Sequence, residues 1–423
     1  MANLRIYPSK LSGSVHIPSS KSHTLRAILF AALASGTSTI RRYLRSPDTE
    51  HMIEAIRMLG AEVEVKPDLL RIQGVSGKPQ LPDDIIQCGN SGIALRFLTA
   101  IVALLPGISI VTGDESIRHN RPMTPLLNAL RQLGAQITSM RGDEHAPLII
   151  QGPWIHHTAQ LDGSDSQFVS ALLIASALRS GITELHVTNP GEKPWVDLTL
   201  NWLRRFDVSF QIEDHIYYRI EGGKLFSAFT YTVPGDFSSA AFPIAAALLT
   251  QSELTLNNLD MNDVQGDRAI IPILEEMGAC FTIEQNRLTV HAGPPLKGTR
   301  IDINDCIDAL PILAVIATAA KTPTELYNGE IARTKETDRI SAIAIELKKM
   351  GVFVEEKSDG LVIFPSKLKG AILESYLDHR LALSLAIAAL AADAPCLIQN
   401  TECMVKTYPT FAEDFSRLGA RIE

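Results

Sequence analysis

Met52–Val63 reads MIEAIRMLGAEV, and the phrase returns five more times along the chain. The copies are LLNALRQLGAQI from Leu126, TLNWLRRFDVSF from Thr199, IIPILEEMGACF from Ile270, AIELKKMGVFV from Ala344 and FAEDFSRLGARI from Phe411. Their anchor positions, Gly60, Gly134, Asp207, Gly278, Gly351 and Gly419, are 68 to 74 residues apart. A fixed interval of this kind marks one supersecondary unit used repeatedly. Apolar residues at i, i+3 or i+4 and i+7 make each phrase an amphipathic helix. A glycine after the last turn suits the left-handed residue that caps a helix, and Asp207 is a tolerated substitute. Period-2 apolar stretches follow, such as Ala61–Gln73 and Phe281–Ala292, and predict β-hairpins.

A second phrase opens each unit with a short strand, a polar turn and a helix of Ala, Leu and Ile. It begins at Ser14, Ile85, Ala159, Tyr231, Ile301 and Glu374. These helices are apolar nearly all round, so they are expected to be buried beneath the amphipathic helices and sheets. The sixth unit has no room after Ala420–Ile422 for its return strand. Leu4–Tyr7 and Ser14–Ile17 are expected to supply it. The chain then divides into one lobe from 1–19 plus 236–423 and an inserted lobe from 20–235, each with three βαβαββ units. A linear six-unit solenoid is the alternative.

The 423 residues are 46% hydrophobic and 20% charged, with a net charge of −8. That balance gives no reason to expect a nucleic-acid partner, and an anionic substrate would need locally concentrated cations. The five cysteines are scattered without metal-ligand spacing, which predicts reduced thiols in a cytoplasmic protein. MANLRIYPSK has no signal-peptide core, and no apolar run approaches membrane-span length.

Polar residues gather where helices begin: Ser20–Arg26, Gly89–Arg96, Ser164–Gln167, Asp236–Ser239, Asp308 and Asp378–Arg380 at the apolar helices. Ile117–Pro122, Glu192–Trp195, Gln265–Arg268, Lys335–Arg339 and Val405–Pro409 do the same at the amphipathic ones. Helix N-termini favour anions through free N–H groups and the helix dipole. Their recurrence in equivalent places predicts turns that face a common cleft.

The segments SKSHTLRA, GNSGIALR, KETDR, DHR and KTYP resemble the signature segments of the EPSP synthase family, from about Ser14 to Phe411. The resemblance implies a two-lobed inside-out α/β barrel and an enolpyruvyl transferase of the shikimate pathway, a cytoplasmic monomer without metal or other cofactor. The implied partners are phosphoenolpyruvate and shikimate 3-phosphate, joined at the 5-hydroxyl by addition and then elimination. Asp308 matches the family's base, although Asp is also a common helix N-cap. Lys21 and Glu336 match the pair that moves protons at the methylene carbon. An i,i+3 surface pair with Arg339 is the plain alternative for Glu336. Lys21, Asn90, Gly92, Arg121, Gln167, Arg339, Arg380 and Lys406 match the phosphoenolpyruvate site. Forked guanidinium groups suit its carboxylate and phosphate. Lys21, Ser22, Arg26, Ser166, Gln167, Asp308 and Lys335 match the phosphoshikimate side.

Asp165 and Glu192 depart from the family pattern, which has hydroxyl or small residues there, and Trp195 replaces a common Tyr. Either carboxylate would repel the 3-phosphate unless Lys193 or an Arg neutralised it or it turned away. Alternative readings are a transferase acting on UDP-N-acetylglucosamine or another cyclitol, and a non-catalytic anion-binding scaffold. The stretch Thr112–Pro122 lacks the cysteine usual in the UDP-sugar enzymes.

Overall fold

In the computed structural model, which describes residues 2–423, the six phrases fold as the helices Pro47–Met58, Thr124–Gln132, Lys193–Arg205, Ile270–Glu276, Arg339–Lys349 and Phe411–Arg417. All six anchor residues are left-handed, with φ from 50° at Asp207 to 106° at Gly419. At the first, Gly60 N–H donates to Arg57 O at 2.9 Å and Ala61 N–H to Ile56 O at 3.0 Å. This pair of bonds satisfies carbonyls that the helix end leaves open.

The apolar helices are Lys21–Leu33, Gly92–Val102, Ser166–Leu178, Phe237–Thr250, Leu310–Ala317 and His379–Leu390. Every residue from Leu381 to Ala389 is fully buried. The helices lie inside and the sheets outside, because only the sheets and amphipathic helices have a polar face to offer water.

Each repeat builds one small sheet. In the third, Thr158–Asp162 runs parallel to Gly181–Thr188. That strand pairs antiparallel with Tyr217–Gly222, which pairs with Ser209–Glu213. The parallel pair brackets a buried helix, as a crossover requires.

The chain forms two compact units: a split unit from 2–18 with 234–423, and an inserted unit, Ser19–Val233. Each has its own core. In the inserted unit Phe30 stacks on Trp202 and Phe206, with centroids 5.5 and 5.2 Å apart. In the split unit Phe411 packs against Phe415 at 4.4 Å and against Tyr408 at 5.7 Å.

The N-terminal strands depart from expectation. Leu4–Ile6 does join the sixth repeat, pairing with Cys396–Ile398 and bridging Ile422 through Ile6. Ser12–His16, however, runs parallel to Glu253–Asn257 in the fourth repeat. The reason lies in edge pairing. Thr230–Thr232, which precedes the fourth buried helix in sequence, pairs with Ser35–Arg41 of the first repeat. That leaves the edge of Glu253–Asn257 open, and an open edge demands a partner. The opening strands of the first and fourth repeats are thus exchanged where the chain passes between units. Among the described residues no helix is long and apolar enough to cross a membrane.

Candidate active site

In the inserted unit the expected residues fall into local groups. Ser20 caps the helix Lys21–Leu33 by accepting from His23 N–H. This places Lys21 in the first turn, where its ammonium faces Asp48 at 3.6 Å. Half-buried Ser22 offers its carbonyl to Arg26 Nη1 at 3.2 Å. Arg26 is 2% exposed. It donates to Thr199 Oγ1 through Nε at 3.0 Å and Nη2 at 2.9 Å, reaches Trp195 O, and lies over the Phe97 ring. Burial lowers its pKa to about 9, so it is still a cation at neutral pH. All its hydrogen-bond partners are neutral. A buried guanidinium in neutral surroundings is a strong draw for an anion.

A second group surrounds Gly92, the first residue of its helix. A Cβ there would stand 2.6 Å from Arg121 Nη1 and 3.2 Å from Gln167 Oε1. The bare glycine therefore lets two guanidinium groups, Arg96 and Arg121, approach the helix start. Asn90, just before it, donates to Asp114 at 2.8 Å.

The two unexpected carboxylates have separate solutions. Asp165 caps the helix Ser166–Leu178 through Gln167 N–H at 2.9 Å and faces Arg96 Nη2 at 3.4 Å. Glu192, 2% exposed and left-handed at φ 48°, turns its Oε2 onto Ser166. It accepts from Ser166 N–H at 3.0 Å and from the hydroxyl at 2.8 Å. Lys193 is exposed to solvent. Trp195 is half-buried.

In the split unit the expected residues meet in one ion network. Five of the six buried helices begin with a Ser or Asp whose side chain accepts a helix N–H. The helix Leu310–Ala317 starts at Ala309 with no such cap. Asp308 sits in the preceding 3-10 turn, so the cap reading does not describe it. Its Oδ1 accepts from Arg339 Nη1 at 2.7 Å and its Oδ2 from Arg380 Nη2 at 3.1 Å. Arg339, 1% exposed, also binds Asp378 through Nε at 2.7 Å and Glu336 through Nη2 at 2.7 Å. Lys406 reaches the other oxygen of Glu336 at 2.8 Å. The Glu336–Arg339 pair exists but is buried, not a surface helix pair. Lys335, 6% exposed, precedes Glu336.

Burial alone would lower the pKa of Arg339. The charges of Asp378, Glu336 and Asp308 outweigh it and hold the group well above its ordinary value. Arg380 is 2% exposed, and its Nε and Nη1 have no acceptor among the described residues. Leaving buried donors open costs ~1–3 kcal/mol, which a bound carboxylate or phosphate would recover.

Asp267 adds a carboxyl group beside this network, fully buried in the 3-10 turn Gly266–Ala269. Burial pushes its pKa up to about 7, and the charge of Asp308 adds to the shift while Arg380 opposes it. An unfolded aspartate loses its proton near pH ~4. From there to about pH 7 the unfolded chain releases this proton while the folded chain keeps it. The group's contribution to stability therefore falls as pH rises through that window and is flat above it. Asp267→Asn is expected to melt higher than the parent at pH 8 and to lose that advantage near pH 4. Thermal melts at both pH values check this.

Arg96 and Asp378 stand in these groups, although the sequence assigned them no role beyond membership of the polar runs Gly89–Arg96 and Asp378–Arg380. The signal for Arg96 was a charge inside the apolar run Gly92–Val102. That for Asp378 was its place in DHR, where it reads as a cap. It is one, accepting from Arg380 N–H, and it also binds Arg339.

Two units of three repeats, with helices inside and cations at the helix starts, define a fold shared with solved enolpyruvyl transferases. The EPSP synthase of Acinetobacter baumannii superposes with a TM-score of 0.83 at 29% identity, covering 100% of this chain and 99% of that one. The enolpyruvyl transferase NikO from Streptomyces tendae shares the fold at a TM-score of 0.79 and 19% identity, covering 100% and 98%. Residues 7–415 match the family model EPSP synthase (3-phosphoshikimate 1-carboxyvinyltransferase). The 3-phosphoshikimate 1-carboxyvinyltransferase of Acetivibrio thermocellus is 43% identical over 419 residues, 99% of each chain. That of Chlamydia pneumoniae is 42% identical over 425 residues, covering 100% of this chain and 95% of its own. The chain belongs to the EPSP synthase family.

Proposed function

We propose that this chain transfers the enolpyruvyl group of phosphoenolpyruvate to the 5-hydroxyl of shikimate 3-phosphate, releasing phosphate, in the shikimate pathway. One observation carries the reading. Asp308 is held by two buried arginines, and one of them, Arg380, keeps two donors open for an anion. A proton acceptor and an anion seat therefore stand side by side.

In the addition step Asp308 takes the proton of the attacking hydroxyl, whose oxygen bonds to C2 of phosphoenolpyruvate. A proton reaches C3 from Lys21 or Glu336, giving a tetrahedral intermediate. In the elimination step C3 returns a proton to Lys21 or Glu336, and the C2–O bond to phosphate breaks with its electron pair leaving on phosphate. Arg121, Arg339, Arg380 and Lys406, with Asn90, Gly92 and Gln167, bind phosphoenolpyruvate. Positioned cations of this kind stabilise charge as it develops on the leaving phosphate. Ser22, Arg26, Ser166, Gln167 and Lys335 bind the acceptor, and the buried charge of Arg26 supports that role. The reading includes a monomer in the cytoplasm, and the scattered, unpaired cysteines support the reducing compartment. Phosphate release with shikimate 3-phosphate, shikimate and UDP-N-acetylglucosamine as rival acceptors tests it. Turnover is expected with the first, and none with it would overturn the reading.

Glu192 bears on acceptor binding. Its carboxylate already takes both donors of Ser166, so an incoming phosphate must displace it. Glu192→Ser is expected to lower the KM for shikimate 3-phosphate about tenfold, about 1.4 kcal/mol. The KM for phosphoenolpyruvate should stay unchanged. Steady-state kinetics with each substrate varied in turn decide this.

A further inference from the structure

The helix Arg339–Lys349 carries a second buried charge two turns beyond Arg339. Glu346 is 0% exposed. Apart from Lys349 on its own helix, its partners lie in the turn that leads to Asp378 and Arg380. Oε2 accepts from Glu374 N–H at 3.0 Å, and Oε1 accepts from the Tyr376 hydroxyl at 2.9 Å. This turn resists its own conformation. Tyr376 and Leu377 are consecutive non-glycine residues in the left-handed region, at φ 53° and 56°. Such residues persist only where the surroundings impose them.

The hold extends to a second turn. The Glu374 carboxylate accepts from Tyr376 N–H at 3.0 Å and from Asn400 Nδ2 at 2.9 Å. Ser375 Oγ donates to Asn400 O at 2.8 Å. Asn400, itself left-handed at φ 58°, opens the 3-10 turn Thr401–Lys406 that ends on Lys406. Arg339, Arg380 and Lys406 thus stand on three segments tied together through Glu346 and Glu374.

We propose that Glu346 is a positioning residue: through Tyr376 and Glu374 it fixes the strained turn that sets Arg380, and through Asn400 the turn that sets Lys406. The inference rests on the phosphoenolpyruvate-binding role given to Arg380 and Lys406 above. Burial, with the hydrogen bond to Glu346, pushes the Tyr376 hydroxyl up to about 12, which keeps it a donor throughout the working range. Glu346 itself is a protein-internal acceptor and touches no reacting atom.

The test compares Glu346→Gln and Tyr376→Phe with the parent by steady-state kinetics and by amide hydrogen exchange over 374–380 and 400–406. Tyr376 is 36% exposed, so its variant keeps the fold even where the buried Gln weakens it. Both variants are expected to raise the KM for phosphoenolpyruvate about tenfold, leave that for the acceptor unchanged and speed exchange in both segments. The double variant should fall short of the sum of the two single effects, because both variants loosen the same turn. Lower stability with parental KM and parental exchange in these segments would overturn the proposal and leave Glu346 a packing residue. A parent that fails to turn over shikimate 3-phosphate removes the reaction assigned above, and the exchange pattern still decides the tether.

Discussion

Asp308→Asn is expected to lower turnover by ~10³-fold, within the range for loss of a positioned general base, while the protein still unfolds cooperatively. The two halves of that result have separate causes. In the proposed mechanism the addition step loses its acceptor, because an amide cannot take the hydroxyl proton. The fold persists because Arg339 keeps Asp378 and Glu336, and the amide oxygen of the variant side chain would retain one of the two guanidinium contacts. Phosphate release and a thermal melt on the same preparation measure both halves. A variant that keeps more than a tenth of parental turnover would remove Asp308 from the base role.

Arg339→Lys should be the more damaging change for the molecule as a whole. One planar guanidinium now answers three carboxylates at 2.7 Å each, and an ammonium cannot face all three at once. Breaking buried charge pairs in this way costs ~3–5 kcal/mol. Activity with phosphoenolpyruvate is expected to fall by ~10²-fold or more, as happens when a transition-state contact is lost. Urea unfolding of the variant beside the parent measures the stability half, and a deficit below about 1 kcal/mol would mean that the three carboxylates do not depend on one guanidinium.

The repeat was legible because its signal is local. A glycine after an amphipathic helix and a polar residue before an apolar one are set by backbone geometry within a few residues. The exchange of Ser12–His16 and Thr230–Thr232 was not legible. Either strand could pair with either sheet on local grounds, and the choice depends on an edge 191 residues away for Thr230–Thr232 and 241 residues away for Ser12–His16. The site divides the same way. Arg26, Arg339 and Arg380 stand out as cations at helix starts, whatever folds around them. Asp308 and Asp378 carry the same letter at equivalent positions, and only the partners brought from other repeats separate a network carboxylate from a cap. Glu346 reads as one more polar residue of an amphipathic helix until the turn at 374–377 closes over it. Glu192 was visible as a misfit, but its resting place on Ser166 depends on a left-handed backbone that sequence does not announce.

The pairing of Leu4–Ile6 with Cys396–Ile398 bears on how the protein is made. The inserted unit is continuous, so a ribosome can release all of it and let it close while later residues are still being added. The other unit has to hold its first strands in waiting. Residues 4–16 emerge before the inserted unit, yet the edge for Ser12–His16 comes only with Glu253–Asn257, and that for Leu4–Ile6 only with Cys396–Ile398. During that interval two short strands with unmet backbone groups are exposed to whatever else is nearby. Synthesis thus imposes an order: the cations at the starts of the helices Lys21–Leu33 and Gly92–Val102 can be in place before the network around Asp308 exists.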